Sequence, residues 1–152
     1  MIFYVECFIQ RGIIYIVRSG VRVEHLSGRS TVCNKLRMVE NATGIIDEDP
    51  QAIQHPYLKE CKLMKNVESI KLYKDNKRKN YLLIFCPRAE EWIFETAQKE
   101  GIKLKDFNFS EDFKKFNEEI KISISKFQQL LHKLKKESKR FETLEGIFKN
   151  IL

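Results

Sequence analysis

The chain has 152 residues, 43% hydrophobic and 32% charged, and its 28 Lys and Arg against 21 Asp and Glu leave a formal net charge of +7. That length suits one domain, or one domain with an appendage, built on a real hydrophobic core. The longest apolar runs, such as Ile13 to Val17 and Tyr81 to Cys86, are far too short to span a bilayer, so no membrane partner is expected.

The N-terminus goes straight into β-type sequence without a leader, which makes the cytoplasm the expected compartment. Cys7, Cys33, Cys61 and Cys86 are scattered and form no CxxC pair, so they read as small buried apolar residues rather than a zinc site or disulfide framework. The positive charge favours polyanionic partners, because basic side chains displace condensed counterions from nucleic acid.

Met1 to Cys7 (MIFYVEC) is an apolar β-like run with an acid, Glu6, at its far end. Phe8 to Ser19 carries both signals: Ile13 to Val17 favours β, while Phe8, Ile9, Ile13, Ile16 and Val17 sit at helical spacing. We read it as a helix ended by Gly20, followed by a strand over Val21 to Leu26. Ser27-Gly28-Arg29-Ser30 is then a turn into an amphipathic helix with Val32, Leu36 and Val39 on one face and a Ser N-cap. Such a turn can present backbone N–H groups to a phosphate, with Arg29 reinforcing it.

Thr43-Gly44-Ile45-Ile46-Asp47-Glu48-Asp49-Pro50 is a buried strand end closed by three acids and a proline. With a period of two, Asp47 and Asp49 point one way and Glu48 the other. Two carboxylates offered to one place suit a hard divalent cation, Mg²⁺ or Mn²⁺, whose ligands are oxygens. The order strand, helix, strand, helix, strand predicts an α/β fold with a mostly parallel sheet flanked by helices. In such a sheet the carboxyl ends share one edge, which brings Glu6, the Ser27 to Ser30 turn, Asp47 and Asp49 together.

Gln51 to Met64 reads as a loop running into a short irregular piece. Val67 to Tyr73 and Tyr81 to Cys86 then read as a hairpin whose tip carries Lys74, Lys77, Arg78 and Lys79, within reach of a nucleic-acid backbone. A helix starts after Pro87, with Glu90 and Glu91 in its first turn and Trp92 as a packing residue. From Ser110, the expected cap, apolar residues recur every seven positions at Phe113, Ile120, Phe127, Leu134, Phe141 and Phe148. This is a long helix or a helical hairpin whose stripe needs a partner: the sheet's helices, its own return, or a second copy in a homodimer, which we favour. Lys133 and Lys136 belong to its cationic face, a second surface for nucleic acid.

The acid at the end of the first strand (FYVEC), the glycine turn after the second (LSGRS) and the Asp-x-Asp after the third (GIIDEDP) resemble the TOPRIM domain of topoisomerases, bacterial primases, OLD-type nucleases and small maturation nucleases. The resemblance covers Met1 to Trp92 and implies a TOPRIM-like domain, bounded here at 1–109; the C-terminal helical extension over 110–152, read from its periodicity, lies outside it. It implies Glu6 as general acid or base and Asp47 and Asp49 as Mg²⁺ ligands. Glu90 or Glu91 resembles the additional acid that OLD-like members place after their next core strand. The function expected is Mg²⁺-dependent cleavage of DNA or RNA; the alternative is a non-catalytic nucleic-acid-binding or oligomerising module on the same fold.

Overall fold

The computed structural model describes all residues 1–152. Six strands form one sheet: β1 (Ile2–Val5), β2 (Arg22–His25), β3 (Ala42–Asp47), β4 (Lys62–Val67), β5 (Ile70–Asp75) and β6 (Asn80–Phe85). Their spatial order is β2-β1-β3-β6-β5-β4. β2, β1, β3 and β6 run parallel, and β5 and β4 are added antiparallel. Six α-helices accompany them: α1 (Phe8–Val17), α2 (Arg29–Met38), α3 (Ala89–Lys99), α4 (Phe113–Ile120), α5 (Ile124–Glu137) and α6 (Lys139–Ile151). None is long and apolar enough to cross a membrane.

Alternation along the strands gives the sheet two apolar faces. Phe3, Val5, Ile45, Leu83 and Phe85 point into the larger core, shared with α1, α3 and all three C-terminal helices. Tyr4, Ile46, Leu82 and Ile84 point the other way, against Val32, Cys33 and Leu36 of α2 and Tyr57 of a short 3₁₀ turn, Pro56–Glu60. On that face Gly44 lets α2 sit close: a Cβ there would fall 2.6 Å from Leu36 Cδ1 and 3.0 Å from Val32 Cγ1.

One local expectation holds and others change. The helix over Phe8–Val17 forms because its apolar spacing can cover the larger core, which outweighs the β preference of its branched residues. Gly28, with a φ of +90°, is the N-cap of α2, so no Ser caps it. Lys62–Val67, expected within and just after the loop, is instead an edge strand, β4. Glu68 and Ser69, both at positive φ, turn the chain back into β5, so the predicted run over Val67 to Tyr73 is split by a hairpin.

The tail is three helices rather than one or two. Asp112, not Ser110, caps α4 by accepting the Lys115 N–H at 3.2 Å. Ser138 sits in an extended conformation that ends α5, and its Oγ accepts the N–H groups of Arg140 and Phe141 to start α6. Phe116, Ile120, Phe127, Leu134, Phe141 and Phe148 are all buried within the chain. Phe3 packs on Phe148 with ring centroids 5.5 Å apart, and Trp92 on Phe141 at 5.2 Å. From Phe116 to Phe148 these residues are therefore covered by the protein's own sheet and helices, so their burial needs no second copy. Residues 110–152 share one core with residues 1–109.

Candidate functional site

The carboxyl ends of β1 and β3 open into a cleft of about 390 Å³ lined by Glu6, Cys7, Ser27, Gly28, Arg29, Ser30, Asp47 and Asp49. Parallel strands place their ends on one edge, and the turns that follow β1, β2 and β3 build the walls. Asp47, the last residue of β3, points toward α1 and α3 and is only 9% exposed. Its Oδ1 accepts the Gln10 side-chain N–H at 3.0 Å and the Ala89 backbone N–H at 2.9 Å, where α3 begins. Glu6 Oε1 accepts the backbone N–H of Asp47 at 3.1 Å.

Burial pushes the Asp47 carboxyl up to about 7, with the charges of Glu6 and Glu90 adding to it. Burial also raises Glu6, against the lowering effect of its hydrogen bonds to Asp47 and the charge of Arg29. Glu90 Oε2 is buried and has no hydrogen-bond partner. Glu6 and Glu90 thus act on Asp47, and Glu90 on Glu6, with the charge of Arg29 opposing the rise at Glu6.

Asp49 enters the cleft by a different route from the one the strand period predicts. β3 ends at Asp47, and Asp49 has a left-handed φ of +43°, its N–H donating to the Pro87 carbonyl at 3.2 Å. The turn, not the pleat, brings the two Asp residues to one cleft. Asp49 Oδ1 lies 3.5 Å from Arg88. Glu48 pairs with Lys71 at 2.6 Å, and that hydrogen bond holds its carboxyl below the usual range.

The two acids of RAEEW separate. Glu90 is close enough to Asp47 and Glu6 for its charge to act on both, whereas Glu91 is held 3.0 Å from Arg88 in an ion pair. Only Glu90 belongs with the cluster. No three His, Cys, Asp or Glu side chains stand close enough together to hold a metal ion by themselves. Mg²⁺ is commonly held by one or two carboxylates with waters and substrate oxygens filling the rest. The all-oxygen donors Asp47 and Asp49, beside the unpartnered Glu90 Oε2, fit that pattern.

Of the basic residues expected to contact nucleic acid, only Arg29 lies at the cleft, and its guanidinium donates to the carbonyls of Glu48 at 2.7 Å and Ile53 at 3.2 Å. It holds the acidic turn in place. The β5–β6 tip with Lys74, Lys77, Arg78 and Lys79 precedes a strand parallel to β3, so it lies at the opposite edge of the sheet, about 17 Å away along a six-residue strand. There Arg78 O accepts the N–H of Asn41 at 3.0 Å, just before β3, and its side chain pairs with Asp75 at 2.8 Å. Arg78 is thus a structural residue of the tip. Lys133 pairs with Glu137 at 2.6 Å and stands near Glu100 to Lys103, beyond the end of α3 remote from the cleft; exposed Lys136 is three residues further along α5.

Two residues of the site were not anticipated. Gln10 is fully buried between the two acid-bearing strand ends, and His25, at the end of β2, places Nε2 3.1 Å from the Glu6 carbonyl. The Cys7-x-x-Gln10 spacing is a capping-box-like signal that could have drawn attention to Gln10. Comparison with protein-family models, curated proteins and solved structures finds no match.

Proposed function

We propose that the protein is a Mg²⁺- or Mn²⁺-dependent nuclease, TOPRIM-like in its use of a strand-end Glu and an Asp-x-Asp turn, that cleaves phosphodiester bonds in DNA or RNA. The observation that carries this reading is the unpartnered, buried Glu90 Oε2 beside a Glu6–Asp47 pair whose proton affinities are both raised. Carboxylates concentrated without matching cations on the protein cost stability, and an external cation removes that cost.

Asp47 and Asp49, which line one cleft, would hold the cation together with waters and substrate oxygens, with Glu90 adding its charge beside Asp47 and Glu48 excluded by its bond to Lys71. When bound, a divalent cation polarises a phosphoryl oxygen and stabilises charge on the leaving oxygen. Glu6, partly exposed in the cleft and raised by burial, holds a proton closer to neutral pH than an ordinary glutamate. It is suited to exchange that proton with the attacking or departing oxygen. Gly28, Arg29 and Ser30, where α2 begins, line the same cleft, and a helix N-terminus favours an anion.

The test is cleavage and binding of single- and double-stranded DNA and RNA in Mg²⁺ or Mn²⁺ by the wild type and Asp47→Asn. Cleavage that collapses in the variant while binding persists is the expected result. Equal binding with no cleavage by the wild type on any of these substrates would sink the nuclease reading in favour of a binding module.

A further inference from the structure

Gln10 lies in the first turn of α1, two residues past its start, and none of its side chain reaches solvent. An amide buried this way is costly unless both ends are hydrogen-bonded. Its Oε1 accepts the Glu6 N–H at 2.9 Å, and its Nε2 donates to Asp47 Oδ1 at 3.0 Å. The orientation of the amide follows from its partners, since a backbone N–H requires the oxygen and a carboxylate is best met by the nitrogen.

Helix capping accounts for only half of this arrangement. A Gln in the first turn can reach back to the N-cap N–H, and here its oxygen takes the N–H of Glu6, one residue before the N-cap Cys7. The bond to Asp47 crosses from α1 to the end of β3 and does nothing for the helix. Together with the Ala89 N–H at 2.9 Å it places two donors on Oδ1, while Oδ2 receives no N–H. One carboxylate oxygen is thus anchored from two helices, and Asp47 itself lines the cleft beside the Glu6 carboxyl.

We propose that Gln10 is a positioning residue that fixes the rotation of the Asp47 carboxylate so that Oδ2 faces a divalent cation in the cleft. The inference rests on the reading of Asp47 as a cation ligand. Gln suits the position better than Glu or Lys. It donates without adding a negative charge to the group formed by Glu6, Asp47 and Glu90, and it brings no positive charge to compete with the cation. It is a partner behind a ligand, of the kind whose loss weakens metal affinity while the ligand itself remains.

The experiment is calorimetric titration of the full chain with Mn²⁺, comparing the wild type with Gln10→Met, which fills the same volume without a donor, and measuring metal-free melting alongside. The variant should bind Mn²⁺ about ten- to a hundredfold more weakly. Unchanged affinity with a lowered metal-free melting temperature would reduce Gln10 to a helix cap and overturn the proposal while leaving the cation site standing. A wild type that binds no Mn²⁺ would overturn both. Should Gln10→Met fail to fold, NMR of the Gln10 side-chain NH₂ in the wild type decides the matter under Mg²⁺ titration. Its signals should shift with the midpoint of a parallel calorimetric titration with Mg²⁺, and signals that stay fixed through saturation would overturn the proposal.

Discussion

The side chain of Glu6 accepts the backbone N–H of Asp47 at 3.1 Å, so the acid ending β1 holds the main chain of the acid ending β3. The two carboxylates are kept close by a bond that a single strand end cannot make. Their shared burial is the cause of both raised proton affinities, and it has consequences for stability.

With metal removed by chelator, stability should fall as pH rises from about 4 to about 7. Across that window the folded state keeps a proton on Asp47, raised from 3.8 to about 7, that the unfolded chain has already released. The stabilisation is fully present below the ordinary value and lost above the raised one, and Glu6 shifts in the same direction. Asp47→Asn removes the titration. Melting curves of the two proteins should converge or cross as pH rises, and parallel curves would contradict the raised value.

Millimolar Mg²⁺ or Mn²⁺ should raise the melting temperature at pH 8, because a ligand that binds only the folded state stabilises it by mass action. Ligand at a hundredfold excess over Kd gives about 2.7 kcal/mol. Glu90→Gln should shrink the shift, whereas Glu91→Gln should leave it intact, since Glu91 is engaged by Arg88. Equal shifts in both variants would take Glu90 out of the site.

Reversing charge at the hairpin tip should separate binding from metal affinity. Lys77→Glu with Lys79→Glu acts at the opposite edge of the sheet, so Mn²⁺ affinity should be unchanged. Nucleic-acid affinity should fall, and its salt dependence should flatten by roughly one unit of slope for each phosphate that the tip no longer neutralises. Retention of full affinity would show that the tip is only a solvated turn.

Gly44→Ala should destabilise the fold by about 1–3 kcal/mol, the usual cost of overpacking a core. The new methyl would meet Leu36 and Val32 of α2, both fully buried, and also Leu82 of β6 at 3.2 Å. Denaturant unfolding measures it, and a change under about 0.5 kcal/mol, the range of ordinary surface substitutions, would mean that α2 gives way freely.

Phe127→Asp should cost about 3 kcal/mol or more without altering the mass seen in sedimentation, because Phe127 is buried against the chain's own α1 near Gly12. A wild-type dimer that this substitution dissolved would show that the tail opens to pair with a second copy.

Much of the cleft is legible in the sequence because local rules set it. Periodicity and turn chemistry place Glu6, the Gly28 turn and Asp47 at the ends of strands separated by helices, and parallel strands then bring those ends to one edge. Even the β-rich stretch over Phe8–Val17 declares its helix through apolar spacing, since that spacing is what the core reads.

What tertiary structure alone decided are the choices among groups that are alike in sequence. Glu90 and Glu91 are adjacent acids in one helical turn, and only the positions of Arg88 and Asp47 separate them. The Lys77–Lys79 tip reads as a basic loop anywhere in the chain, but the direction of β6 sends it to the edge opposite the acids. The heptad spacing from Phe113 to Phe148 requires burial without naming the surface, and the apolar face of the sheet with α1 and α3 supplies it within the chain. Periodicity specifies which side of an element must leave water; the partner that covers it, and the edge at which a turn emerges, depend on contacts between residues distant in sequence, which no local pattern encodes.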